Sequence, residues 1–170
     1  SIRDMDSLLS AMETRIDFFA AVGCKVADHG LSQLPKNNAF TVDLDIELKR
    51  FLATRGETAF SDPDAFVFYI LTSLCKMYPA RGWVQQFHLG AIRNNNTRLK
   101  LKLGADAGFD SIGDYSQAER LSALLNSLDA EDKLSKTIIY NLNPADNALF
   151  ATMCGNFNDG STKGKVQYGP

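Results

Sequence analysis

The run Trp83–Arg98, with the sequence WVQQFHLGAIRNNNTR, decides the fold class of this 170-residue chain. Residues 83–89 form a short, mostly apolar segment that predicts a strand, and His88 lies near its end. Gly90 and a polar segment with three asparagines follow directly. α/β enzymes place their sites where parallel strands end and loops begin, so this stretch indicates an α/β protein with a site at this loop.

The rest of the chain alternates between helical and strand patterns. Helices are predicted where apolar residues recur every three or four positions, and strands where short apolar runs are bounded by turn residues. The predicted helices are 5–22, 43–54, 61–77, 116–128 and 144–154, and the predicted strands are 24–28, 83–89, 138–140 and 165–168. Residues 90–115 are predicted to be a long loop. This alternation favours parallel strands with helical crossovers.

Charge and composition exclude several classes of partner. The net charge is -2 and the pI is about 5.6, and no run of lysine or arginine is long enough to follow a phosphate backbone, so nucleic acid is excluded as a partner. The first residues lack the charged-then-apolar pattern of a secretory leader, and no apolar run approaches the roughly 20 residues that cross a bilayer, so we expect neither secretion nor membrane insertion. Its three cysteines lack metal or redox spacing and are predicted to be buried thiols. Together these features predict a cytoplasmic protein that does not contact membranes.

Strand alternation selects the candidate catalytic residues. In strand 83–89 the bulky side chains are predicted to face the helices, which leaves His88 on the opposite face. The same alternation brings Asp28 to the end of strand 24–28, so we expect Asp28 and His88 to approach each other across neighbouring parallel strands. An imidazole can move a proton near neutral pH, and a carboxylate can orient it. The alternatives are a structural histidine and a capping carboxylate.

Three further residues are candidates for substrate binding. Arg93 and Arg98 flank the asparagine triplet, and a guanidinium matches a carboxylate in bidentate fashion. The alternative is that both arginines brace the loop against its acidic residues, Asp106, Asp110 and Asp114. His29 follows Asp28 and faces the other side of its strand, and it is the third candidate.

Three motifs carry a resemblance to a known family. They are Gly23-Cys24-Lys25-Val26-Ala27-Asp28-His29, the run 83–98, and Lys136-Thr137-Ile138-Ile139-Tyr140-Asn141-Leu142-Asn143-Pro144. The run 83–98 matches the pattern QxHxGAxRNNNxR of the uronate (glucuronate) isomerases, which are (β/α)8-barrel enzymes of the amidohydrolase superfamily. The chain resembles this family over most of its length. The resemblance implies that Asp28 lines the sugar site and that His88 belongs to it.

The resemblance also implies that the barrel is incomplete. A full (β/α)8 barrel takes about 250 residues and at least roughly 200. We therefore expect a single partial TIM barrel of about four parallel strands over residues 1–170, with a helical insertion or loop at 35–62. The chain has no initiator methionine and enters a helix almost at once, which indicates a segment of a longer polypeptide. The two open sheet edges predict association, for instance as a homo-oligomer.

The expected activity is the interconversion of aldo- and keto-hexuronates by proton transfer through an enediol. The resemblance implies a divalent metal, zinc in most descriptions, held by a His-x-His pair and an Asp-x-Arg aspartate. The sequence contains no His-x-His, so no metal site is expected within this chain, although His88 could contribute a ligand in the full protein. The 170 residues alone are expected to be inactive. The alternatives are a non-catalytic α/β module that binds a sugar acid or a partner, and a different enzyme of the amidohydrolase type.

Overall fold

The computed structural model of this chain describes residues 1–37 and 42–169, so residues 38–41 of the predicted 35–62 insertion lie outside the described residues. Helices and strands alternate along the described chain, in the order α1 (Met5–Ala21), β1 (Val26–Leu31), α2 (Leu44–Ala53), α3 (Pro63–Met77), β2 (Val84–Leu89), β3 (Ala91–Ile92), α4 (Thr97–Leu103), β4 (Ser111–Ile112), α5 (Ala118–Asp129), β5 (Thr137–Asn141), α6 (Asn147–Asn156) and β6 (Val166–Tyr168). Short 3₁₀ turns precede β2 and α6.

The four longer strand segments form one parallel sheet in the order β1-β2-β5-β6. Each pair of neighbours is parallel, and the register sets Gly30 of β1 opposite His88 of β2, and His88 opposite Tyr140 of β5. Helices connect successive strands of this sheet, as parallel pairing requires. The predicted α/β class and the predicted four parallel strands are confirmed.

The central strand β2 has one buried face and one open face. Trp83, just before the strand, and Phe87 and Leu89 within it are all at most 5% exposed. Their side chains join the leucines of α5 and aromatic residues of other elements in the main core. Val84 and Gln86 on the other face are only half-buried, and His88 is exposed. The predicted alternation of this strand is therefore confirmed.

A polar pair lies within the buried side of the sheet. Gln85 and Thr137 face each other on β2 and β5, and both are almost fully buried. The Gln85 side-chain amide donates to Thr137 Oγ1 at 2.8 Å, and the Thr137 hydroxyl donates to the Ser135 carbonyl at 2.8 Å. Buried polar groups cost free energy unless they are hydrogen-bonded, so the bond from the Gln85 amide offsets only part of the cost of burying this residue, whose Oε1 has no hydrogen-bond partner among the described residues.

Capping residues set the beginnings of the outer helices. Asp43 caps α2, and Asp62 caps α3, where Pro63 occupies the first turn. Asp4 caps α1, and Ser7 reciprocates by accepting from the Asp4 backbone N–H. The two residues form a capping box, in which the polar side chains lie three positions apart.

Two predicted segments differ from the structure. Strand β1 runs from Val26 to Leu31 rather than over 24–28, because Gly30 and Leu31 continue the ladder with β2 instead of ending it. Asp28 therefore lies in the middle of its strand and not at its carboxyl end. The predicted loop 90–115 contains α4 and a two-stranded antiparallel sheet formed by β3 and β4. Strands of two residues leave too little periodicity to be recognised in a sequence.

A buried lysine ties β6 to α5. Lys165, just before β6, has a side chain only 9% exposed, and its Nζ donates to Asp129 at 2.7 Å and to Asp159 at 3.1 Å. The hydrogen bond to Asp129 is the largest cause that raises the pKa of Lys165, and burial opposes it. A buried charge is acceptable only when it is paired in this way.

None of the described helices is long and apolar enough to cross a membrane.

We predict that Phe87→Ala lowers the free energy of unfolding by about 3–5 kcal/mol, because it empties a fully buried aromatic position. Chemical denaturation followed by circular dichroism measures this loss. Gln86→Ala, the neighbouring residue on the open face, is the matched control and should change stability by less than about 1 kcal/mol. Equal losses for the two variants would contradict the assignment of faces.

Candidate active site

Asp28 and His88 contact each other on the open face of the sheet. Asp28 is the register partner of Gln86, and His88 is the partner of Gly30, so the two side chains lie diagonally across the β1–β2 pair. His88 Nδ1 and Asp28 Oδ1 are 2.7 Å apart. The predicted approach of these two residues is confirmed. About half of each side chain is exposed, 48% for His88 and 54% for Asp28, so both remain open to a ligand.

This contact determines the role of each imidazole nitrogen. A carboxylate only accepts hydrogen bonds, so Nδ1 of His88 is the donor to Asp28. In the neutral ring the other nitrogen, Nε2, then has a free lone pair and can accept a proton or a hydrogen bond. The same carboxylate stabilises the ring when it becomes an imidazolium. This arrangement can move a proton at Nε2.

Tyr140 also belongs to this cluster, and the sequence reasoning missed it as a site residue. Its ring stacks on the imidazole of His88 with the ring centroids 4.4 Å apart and an angle of 3° between the planes. Tyr140 lies opposite His88 in the register of β2 and β5. The sequence indicated that Tyr140 lies at the end of a strand. Its place beside His88 depends on the register between two distant segments, which the sequence does not show.

Gly30 leaves space on the other side of His88. It is the register partner of His88 on β1, and a Cβ added at this position would meet no atom within 4 Å. A side chain at Gly30 would share the face of Asp28 and His88, because register partners in a parallel pair point the same way. The glycine therefore keeps the surface beside the imidazole clear.

The structure places His29 away from this cluster. Its Nε2 lies 3.1 Å from the Tyr78 hydroxyl, and its ring stacks on Phe87 with centroids 5.4 Å apart. Burial lowers the pKa of His29, and the charge of Asp28 opposes this effect. Burial also raises the pKa of Tyr78. His29 thus contacts the helix-covered side of the sheet, and its contact with the substrate stays a prediction.

The two candidate arginines differ in their surroundings. Arg93 donates to Asp110 at 2.6 Å and lies 3.7 Å from Asp106, so it braces its own segment, as the alternative interpretation proposed. Arg98 is exposed in the first turn of α4, and its guanidinium makes no hydrogen bond or ion pair with the described residues. Of the two guanidiniums, only that of Arg98 is free to pair with an external carboxylate.

Each residue of the asparagine triplet has a structural role. Asn94 has a left-handed backbone with a φ of 55°, and its N–H donates to Asp110 at 2.9 Å. Asn95 donates to two main-chain carbonyls, and Asn96 caps α4. Asparagine tolerates the left-handed region and bonds nearby main chain. The backbone bond from Asn94 is the largest cause that lowers the pKa of Asp110, followed by the favourable interactions with Arg93.

Metal ligands and thiols are sparse in the described ranges. Within residues 1–37 and 42–169, no group of three or more His, Cys, Asp and Glu side chains could hold a metal ion. Cys75 and Cys154 are buried, as predicted, whereas Cys24 is only half-buried. Burial raises the pKa of the Cys75 and Cys154 thiols, which keeps them protonated.

The comparison with protein families matches this chain along its whole length. The model of the glucuronate isomerase family aligns with residues 1–170. The chain belongs to the glucuronate isomerase family. It is 51% identical to the uronate isomerase of Flavobacterium johnsoniae and 44% identical to that of Cellvibrio japonicus. Each alignment covers 99% of this chain but only 36% of the relative, so the chain spans about a third of the length of these glucuronate isomerase relatives.

Solved structures of the same family confirm the fold. The uronate isomerase of Thermotoga maritima superposes with a TM-score of 0.79 over 98% of this chain and 35% of that protein. The glucuronate isomerase of Caulobacter crescentus superposes with a TM-score of 0.78 over the full chain and 34% of that protein. Both are 24% identical to this chain. The predicted partial barrel of the (β/α)8 type is confirmed.

We predict that His29 makes the protein less stable as the pH falls from about 7 to 5. Burial holds the pKa of His29 below its ordinary value of 6.5, so below that pH the unfolded chain binds a proton that the folded chain does not. This contribution is complete above the unfolded pKa and is lost on acidification. Denaturation of His29→Phe at several pH values should show a shallower decline than the unmodified chain.

His88→Gln is the matched control for this measurement, because it removes the other histidine and leaves His29 in place. It should keep the decline that His29 causes. A decline of the same steepness in His29→Phe and in the unmodified chain would contradict the assignment.

Proposed function

We propose that this chain forms the part of a uronate isomerase that carries His88 and Asp28 of the active site. The substrates are hexuronates, with glucuronate converted to fructuronate and galacturonate to tagaturonate. The observation that supports this proposal is the 2.7 Å contact between His88 Nδ1 and Asp28 on the open face of the parallel sheet. A proton-transferring pair on that face suits an isomerase, and family membership supplies the reaction class.

The reaction moves one proton from C2 to C1 of the sugar acid. A base removes the proton at C2 while O1 gains a proton, which gives the enediol; O2 then loses its proton as a proton is returned to C1, so the carbonyl moves from C1 to C2. The protein must therefore supply an acid–base group, donors that stabilise the oxygens, and a partner for the substrate carboxylate. The described residues contain candidates for the first and the third.

His88 is the proposed acid–base group. With Nδ1 donating to Asp28, Nε2 is the nitrogen that accepts a substrate proton and returns it. The Asp28 carboxylate then stabilises the imidazolium that forms. The clear surface at Gly30 gives a sugar room to approach the imidazole edge, since no atom lies within 4 Å of a Cβ at that position.

Arg98 is the proposed partner of the substrate carboxylate. Arg93 is already neutralised by Asp110 and Asp106, and withdrawing it from them would break both of these ion pairs. Arg98 needs no such exchange, because it makes no ion pair with the described residues. Its position in the first turn of α4 lies downstream of the end of β2, on the segment that follows the proposed acid–base residue.

The metal expected from the resemblance is not accounted for by this chain. A catalytic zinc takes three protein ligands as a rule. The described residues offer no group of three, and the sequence contains no His-x-His pair. We therefore expect the 170 residues alone to be inactive. In a longer polypeptide His88 could add a ligand to residues supplied from elsewhere, zinc being the expected metal.

The setting of the protein follows from the same proposal. Sugar-acid isomerisation and amidohydrolase ancestry both suit a cytoplasmic enzyme of hexuronate metabolism. The strands β1 and β6 each have one neighbour in the described sheet, so each presents a free edge. Free edges pair readily with other strands. We propose that the chain associates through these edges, as a homo-oligomer when it is isolated.

We predict that His88→Ala and Asp28→Ala each lower kcat for glucuronate and galacturonate by at least about 10²-fold in the polypeptide that contains the complete site. The loss follows because each variant removes one partner of the proton-transferring contact. Steady-state turnover of both substrates measures it.

Asp6→Ala, which removes an exposed carboxylate from α1, is the matched control and should retain full turnover. A His88 variant with unchanged kcat on every hexuronate would remove His88 from the chemistry. Binding of uronates without any turnover by the complete polypeptide would favour the alternative of a non-catalytic sugar-acid module.

We predict that Arg98→Ala raises KM for hexuronates by about 10- to 100-fold, the cost of losing a charge-assisted contact, and changes kcat less. Lys100→Ala, two residues later on α4 and also exposed, is the matched control and should leave KM unchanged. Comparison with the corresponding neutral aldose identifies the contact, because the Arg98 variant should discriminate less between acid and neutral sugar. Retained discrimination would assign the carboxylate to another residue.

A further inference from the structure

The ring of Tyr140 is held between two features of the sheet. On one side it lies parallel to the imidazole of His88, with centroids 4.4 Å apart. On the other side it lies over Gly169, where an added Cβ would be only 2.3 Å from Tyr140 Cε1. The Gly169 N–H donates to the Ile139 carbonyl at 2.9 Å, which fixes the main chain beneath the ring. Gly169 thus provides space that any other residue would fill.

The carboxylate contact alone does not fix the plane of His88. The terminal torsion of a histidine side chain has broad minima, so a ring held only at Nδ1 can still tilt about that bond. Parallel stacking adds the missing constraint, because it is lost when the plane of one ring turns against the other. Gly30, on the opposite side of His88, has no side chain that could supply this constraint.

We propose that Tyr140 is a positioning residue, which sets the plane of the His88 imidazole so that Nδ1 stays on Asp28 and Nε2 stays directed at the substrate. This inference rests on the proposed function of His88 and adds a residue to it. The Tyr140 hydroxyl makes no hydrogen bond with the described residues, whereas the ring is stacked on His88. The aromatic ring of Tyr140, and not its hydroxyl, therefore positions His88. Phenylalanine at this position should serve equally well.

Nuclear magnetic resonance of the ¹⁵N,¹³C-labelled chain tests this directly, because the sequence has only two histidines. In the unmodified chain the neutral His88 ring should be held as the Nδ1–H tautomer, and its carbon-bound protons should be shifted upfield by the Tyr140 ring. Tyr140→Phe should keep both signatures. Tyr140→Leu should lose the ring-current shift and give a mixture of tautomers.

His29 is an internal control in the same spectra, since it contacts Tyr78 and Phe87 on the helix-covered side. Its signals should not change in any variant. If Tyr140→Leu disturbs them, Gly169→Ala is the second variant, because its methyl group displaces the Tyr140 ring and leaves the ring itself in the chain. Gly169→Ala should also give a mixture of His88 tautomers. An unchanged His88 tautomer in these variants, or a failure of Tyr140→Phe to preserve it, would overturn the proposal.

Turnover in the polypeptide with the complete site separates this inference from the proposed function. Tyr140→Leu should lower kcat by about 10- to 100-fold, the scale of a misplaced catalytic group, with KM within about twofold, and Tyr140→Phe should restore kcat. If Tyr140→Leu gives a mixture of His88 tautomers but His88→Ala leaves kcat unchanged, the proposed function is refuted and the positioning role of Tyr140 stands. A large loss in His88→Ala with no effect of Tyr140→Leu on tautomer or kcat would refute the positioning role alone.

Discussion

The pairing of β2 between β1 and β5 is the constraint on which the rest of the structure depends. Because both pairs are parallel and in register, every second residue of β2 lies level with residues of its neighbours that point the same way. One set, which includes Phe87 and Leu89, is buried beneath the helices. The other set brings His88 between Gly30 and Tyr140. The packing of the core and the composition of the site are thus two consequences of one register.

This arrangement places the core and the candidate site on opposite faces of the sheet. On the helix-covered side, His29 contacts Tyr78 and Phe87, and burial lowers its pKa. On the open side, His88 is half-exposed and is bonded to a carboxylate. The side chains of the two histidines point to opposite faces of the sheet. They therefore differ in exposure and in the residues that they contact. A histidine on the open face can exchange protons with a ligand, whereas protonation of the half-buried His29 carries a cost in stability.

An ion pair stabilises the segment between β2 and α5, next to the candidate site. Arg93 and Asp110 bridge its two halves, and Asn94 and Asn95 complete the connection through main-chain bonds. Because Arg93 is already paired with carboxylates of this chain, its guanidinium is not free to bind the carboxylate of a ligand. Arg98, a few residues later, has no such partner among the described residues. The two arginines of one motif therefore have different surroundings, because only Arg93 is paired with neighbouring carboxylates among the described residues.

Much of this organisation could be read from local patterns in the sequence. The alternation of helices and strands and the buried phase of β2 depend on residues a few positions apart. The approach of Asp28 to His88 was also predictable, because strand phase and parallel pairing follow from the same patterns. The end of β1 was misplaced because Gly30 continues a ladder, and only the neighbouring strand shows that it does.

What the sequence by itself determined is the fold class, the family pattern and the pair of residues that face the open side of the sheet. Only the tertiary structure decided that Tyr140 stacks on His88, that Gly169 makes room for that ring, and that Arg93 is neutralised whereas Arg98 is not. The physical reason is one of distance along the chain. Helix and strand periodicity is written within about ten residues, but a stacking partner 52 positions away depends on the register of separate strands, which no local pattern specifies.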